Sequence, residues 1–90
     1  MPFVKFTGHL RRFFPDLAAQ QVEGKTVAEV IDDLEKQYPG FAAYIIDDQG
    51  ALRKHVNIFI GNERIQDREQ LLDSVTDTDQ IFIFQALSGG

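Results

Sequence analysis

No cysteine occurs anywhere in the 90 residues, which excludes a disulfide scaffold, a thiolate metal site, a redox pair and a cysteine nucleophile. Long apolar runs are missing as well. The longest, Phe41-Ala42-Ala43-Tyr44-Ile45-Ile46, falls far short of the roughly 20 residues a membrane-spanning helix needs, so no membrane partner is expected. The opening Met1–Phe6 has no charged region followed by an apolar stretch of signal-peptide length, which makes the cytoplasm the default expectation. Positive charge is scarce: nine Lys and Arg face fourteen Asp and Glu, a net charge of −5. A general nucleic-acid binder needs a basic stripe, so no nucleic-acid partner is expected.

What is present describes one small globular unit. Hydrophobic residues make up 43% and charged residues 26%, a composition that buries a core rather than staying disordered. A chain this short buries only about 60% of its unfolded surface, so the core is adequate but thin. The charge is unevenly spread. Residues 1–12 carry Lys5, Arg11 and Arg12 with no acid, whereas residues 26–50 carry six acids against Lys36 alone. Such asymmetry suits a charged docking surface, and solvated helix faces produce it too.

The clearest predicted element is a helix over Thr26–Pro39. Thr26-Val27-Ala28-Glu29 has capping-box spacing, with Thr26 as N-cap and Glu29 reaching back. Val27, Val30, Ile31, Leu34 and Tyr38 then form one apolar stripe, with Asp32, Asp33, Glu35 and Lys36 on the wet side. Pro39-Gly40 ends it. Predicted strands are Phe3–Thr7, a short one within Ala18–Glu23, Val56–Ile60 ending at a Gly61-Asn62 hairpin turn, and Gln80–Gln85 after the turn Asp77-Thr78-Asp79. A single helix covers one sheet face and leaves the other open, an α+β arrangement.

Alternation then sorts the side chains. Val56, Ile58, Ile60, Ile81 and Ile83 point one way; Phe59, Phe82 and Phe84 point the other. With the aliphatic set as core, the three rings stand on the open face. Burial of one such ring is worth about 1.5–3 kcal/mol, which favours a partner that covers them. The opposite assignment, with the rings as core, satisfies the same alternation.

Most catalytic patterns are absent. There is no Gly-rich phosphate loop. Asp47-Asp48-Gln49-Gly50 lacks calcium-loop spacing and reads as a turn, and the isolated His9 and His55 do not make a metal site. Ser74 and Ser88 have no visible base partner, and Asp32-Asp33 lies in water. The chain is therefore not expected to be an enzyme by itself, nor to bind a metal or cofactor of its own. What remains is the end, Ala86-Leu87-Ser88-Gly89-Gly90. Two specified terminal glycines arise by chance in roughly 0.5% of chains. A tail without side chains can thread a narrow channel. Its carboxylate, with an ordinary pKa of about 3.3–3.7, is ionised at neutral pH and can attack a nucleotide α-phosphate. A frayed terminus without a role and a cloning remnant account for the same dipeptide.

Over essentially its whole length the chain resembles the β-grasp sulfur carriers: the small subunit of molybdopterin synthase, the thiamine sulfur carrier and the carrier that feeds a cysteine synthase. The matching stretches are Thr26–Pro39, Val56-Asn57-Ile58-Phe59-Ile60, and Gln80 to the Ala-Leu-Ser-Gly-Gly ending. The long Gly40–Arg53 connection and the following Lys54-His55-Val56-Asn57-Ile58 are most similar to the cysteine-forming branch. Thr78 departs from the family's usual Asp-Gly-Asp turn, and a β-branched residue there implies a different turn geometry.

The resemblance implies a ubiquitin-like β-grasp roll over residues 1–85, a mixed sheet on one main helix, with a flexible tail at 86–90. It implies that an adenylating enzyme of the ubiquitin-activating type, using ATP and magnesium, activates Gly90. A sulfur donor then forms a thiocarboxylate, which passes to a sulfur-acceptor synthase in molybdopterin, thiamine or cysteine biosynthesis. Gly90 is then the carrier group, Gly89, Ser88 and Leu87 the threading tail, and Phe59, Phe82 and Phe84 the partner-binding patch. The free chain is expected to be a monomer whose acidic surface steers it to a basic partner. A ubiquitin-like modifier joined through Gly90 to lysines, and a β-grasp interaction domain with an incidental Gly-Gly, are the competing functions.

Overall fold

In the computed structural model, which describes residues 1–85, the elements run β1 (Phe3–Phe6), a 3-10 helix (Gly8–Arg12), β2 (Gln20–Gln21), α1 (Val27–Gln37), α2 (Phe41–Ile45), β3 (Val56–Ile60), β4 (Glu63–Arg64) and β5 (Gln80–Gln85). The five strands form one mixed sheet in the order β2-β1-β5-β3-β4. The first and last long strands lie side by side and parallel at its centre, and the other pairings are antiparallel. The predicted α+β roll is the observed architecture.

Helix α1 forms where its stripe and cap predict. Thr26 Oγ1 accepts the Glu29 N–H at 3.2 Å, satisfying an otherwise unpaired helix-start donor. Glu29 Oε1 accepts from Lys25 N at 2.9 Å, one residue further back than the N-cap itself. Val27, Val30, Ile31 and Leu34 are buried against the sheet. Before the helix, Gly24 has φ +155°, and a Cβ there would lie 2.8 Å from Val30 N, so the entry to the helix requires glycine.

Two elements stand where sequence showed only connections. The 3-10 helix follows β1, and α2 occupies the start of the Gly40–Arg53 stretch. Glu35, placed by its spacing on the wet side of α1, accepts from Gly40 N and Ala42 N, both at 2.9 Å. Its carboxylate thus caps α2, and those two backbone donors, Gly40 first, hold its pKa below the ordinary value. Phe41 of α2 is fully buried, with the rings of Phe6 and Phe14 edge-on to it at 5.7 and 5.6 Å. The covering layer over the sheet is thus one long helix and one short one.

Between β4 and β5 the chain is held by carboxylates on backbone donors. Asp67 accepts from Glu69, Gln70 and Leu72, and Asp73 from Gln66 and Asp67. The Gln70 N–H leads in holding the Asp67 pKa below its ordinary value. This scaffold keeps buried Leu71 at φ +60°, a left-handed conformation a leucine rarely adopts. The turn before β5 closes with Asp79 N on Thr76 O and Thr76 N on Asp79 Oδ2. Thr78 is not at positive φ, in keeping with its β-branched side chain.

Candidate functional site

The alternation of β3 and β5 decides which face each ring occupies. Val56, Ile58, Ile81 and Ile83 are at most 1% exposed and belong to the core. Phe59, Phe82 and Phe84 lie on the opposite face, away from both helices, and the alternative with rings as core does not occur. The rings are half-buried rather than fully exposed. Phe82 and Phe84 meet edge to face at 6.1 Å, and with Phe59, Asn57 and Arg64 they line a shallow groove of about 510 Å³.

Pairing register extends this face beyond the residues that sequence singled out. Lys5 is opposite Phe82, Phe82 opposite Phe59, and Phe59 opposite Arg64. One row therefore crosses four strands as cation, ring, ring, cation. Phe84 is opposite Asn57, whose Oδ1 accepts from Arg68 Nη1 at 3.1 Å. Alternation within Phe3–Phe6 assigns Phe3 and Lys5 to the face that Val4 avoids. The pairing of Lys5 with Phe82 joins residues 77 positions apart, which local patterning does not encode.

The second part of the site is where the chain leaves the sheet. Gln85 is opposite Val56, and its N–H reaches Thr7 Oγ1 at 3.3 Å. Thr7 N in turn donates to Ile83 O at 3.2 Å. Beside Gln85 lie Ala43, Tyr44 and Arg53 around a depression of about 440 Å³. Arg53 is fixed by Nε on Ala43 O at 2.9 Å, and Arg68 Nη2 donates to Arg53 O at 2.8 Å. The strand that carries the terminus is thus central, bonded on both sides and fixed to its last described residue. Leu87, Ser88, Gly89 and Gly90 lie outside the described residues, as does the predicted 86–90 tail.

The remaining candidates stay apart. His55 is exposed, and His9 packs edge-on to Phe13 at 6.0 Å. Among the described residues no group of His, Asp or Glu is placed to hold a metal ion. Asp47 Oδ1 accepts from Gln49 N and Ala51 N, closing the turn that its sequence predicts. Asp33 accepts from Glu23 N, and Ser74 pairs with Thr26 in an isolated bridge. No helix among the described residues is long and apolar enough to cross a membrane.

Comparison with known proteins decides the family. The sequence model of the ThiS family matches residues 4–90, from β1 through the Gly-Gly end. The chain belongs to the ThiS family. Among its relatives is the sulfur carrier protein CysO of Mycobacterium tuberculosis, 33% identical over 69 residues, 74% of each chain. Small archaeal modifier protein 3 of Haloferax volcanii is 29% identical over 65 residues, 72% of this chain and 70% of that one. In three dimensions the fold is similar to a chain in the BexX/CysO complex of Amycolatopsis orientalis, with a TM-score of 0.85, 26% identity and full coverage of both chains. This ThiS-family member thus has relatives named both as sulfur carriers and as a protein modifier.

Proposed function

We propose that this chain is a sulfur carrier whose working group is the Gly90 carboxylate. The observation that carries the reading is the Gly-Gly end of a ThiS-family chain issuing from the central strand of its sheet. Strand β5 is fixed as far as Gln85, five residues before Gly90 in sequence, and the last two residues have no side chains to obstruct a narrow active-site channel.

In the proposed reaction a carboxylate oxygen of Gly90 attacks the α-phosphate of ATP on an adenylating partner, and pyrophosphate leaves. Magnesium and ATP belong to that partner. A sulfide-equivalent donor then attacks the acyl carbon, AMP departs, and Gly90 is left as a thiocarboxylate for an acceptor synthase. Phe59, Phe82 and Phe84 form the docking patch, and Gly89, Ser88 and Leu87 the part that enters the partner. The chain supplies a reacting end and a handle, while catalysis lies in the partners. The long Gly40–Arg53 connection and Lys54-His55-Val56-Asn57-Ile58, most similar to the cysteine-forming branch, favour cysteine formation as the destination of the sulfur.

The test is ATP–pyrophosphate exchange with the adenylating enzyme of the same organism. Exchange is expected to depend on the full-length chain and to vanish when Gly90 is deleted; exchange that persists without Gly90 contradicts the reading. The archaeal modifier relative favours a second reading, in which activated Gly90 joins a lysine amine. That reading expects Gly90-dependent protein adducts in cells.

A further inference from the structure

The open face has a charge opposite to that of the chain. By alternation and register its outward residues are aromatic, amide or cationic at every strand position, and none carries a carboxylate. Lys5 and Arg64 end the ring row, about 14 Å apart across three strand spacings. Both are exposed. Around the exit of the chain Arg53 is exposed beside Gln85, and there it shares a second depression with Asp47 and Asp48. Among the described residues the only ion pair is Met1 with Asp77, so neither Lys5 nor Arg64 is held in an ion pair with a carboxylate. Three of the four acids of α1, Glu29, Asp32 and Asp33, gather with Glu23 around Lys36 on the covered side.

We propose that this face docks a protein partner whose complementary surface is an apolar centre flanked by carboxylates, so that the net-acidic chain is steered by its minority charge. The proposal rests on the carrier reading for the partner's identity, an adenylating enzyme that receives Gly90. It reverses the expectation from net charge alone, which was a basic partner. Two cations astride apolar rings fix both orientation and register: they attract at long range, and the rings lose water only when the row is aligned. The acidic helix side then points away from the partner and keeps it from docking there.

The test measures kcat/KM for activation of the chain by its adenylating enzyme at two ionic strengths. Lys5→Glu with Arg64→Glu is expected to lower kcat/KM about tenfold at ~0.05 M salt and only about twofold at ~0.5 M, with kcat unchanged. Glu23→Lys with Asp32→Lys, on the helix side, is expected to stay within about twofold of wild type. An unchanged Lys5/Arg64 variant overturns the proposal, and so does a gain in that variant with a loss in the helix-side one. A chain that sediments as a dimer broken by Arg64→Glu, with activation unaltered, overturns it too, because the face then belongs to a second copy. If wild type supports no exchange at all, the carrier reading itself fails and takes this partner with it. Thermal melts of both variants, expected to match wild type, separate docking from folding.

Discussion

The two faces of the sheet solve different problems with residues one position apart. Ile58 points under α1 and α2 and is fully buried; Phe59 points outward and is half-buried. On the covered side aliphatic side chains and buried Phe41 fill the space, and carboxylates cap backbone donors at its margins. On the open side larger aromatic surface is kept accessible between cations. Stability and recognition are thereby divided between alternate residues of the same strand. Alterations of one face should leave the property of the other intact.

The sharpest way to break that comparison is the neighbouring pair. Ile58→Ala should lower folding stability by about 2–4 kcal/mol in urea denaturation, because it opens a cavity in a filled core. Phe59→Ser should lower it by about 1 kcal/mol while weakening partner binding more than Ile58→Ala does. Equal losses of stability from the two would show that the open face is part of the core.

A smaller effect comes from pH. The folded-state pKa values of Glu35 and Asp67 lie below their ordinary values of 4.5 and 3.8. Their stabilisation is therefore complete above those ordinary values and is lost as pH falls through the lowered ones. Glu35→Gln and Asp67→Asn should each lower stability at neutral pH and flatten the acid limb of the stability profile, followed by circular dichroism. Phe59→Ser should leave the shape of that limb unchanged. A steep acid limb retained in both carboxylate variants would show that these caps contribute nothing.

How much of this was legible in the sequence follows from how local each signal is. Helix α1 announces itself through a cap, a stripe and a stop within fourteen residues, and β3 and β5 through strict alternation. The 3-10 helix and α2 each span five residues, too short for periodicity to show. Helix α2 is fixed by Glu35 reaching across Pro39-Gly40, a contact between elements. Strand β2 is two residues long where six were open to it, since only Gln20 and Gln21 find partners on β1. Alternation showed that the three rings of the candidate site share one face, but only the burial of Val56, Ile58, Ile81 and Ile83 shows that this face is the open one. Their flanking cations were not readable from it, because the Lys5–Phe82–Phe59–Arg64 row exists only once first and last strands pair.

The central claim is that Gly90 carries sulfur, and the most direct measurement is the intact mass of the chain isolated from its native host, followed by fragmentation of its C-terminal peptide. The account predicts a population in which one oxygen is replaced by sulfur, with the shift confined to Gly90 and lost when Gly90 is deleted. A chain that carries only oxygen at Gly90 while the acceptor pathway is running, or a sulfur shift that maps elsewhere, would contradict it.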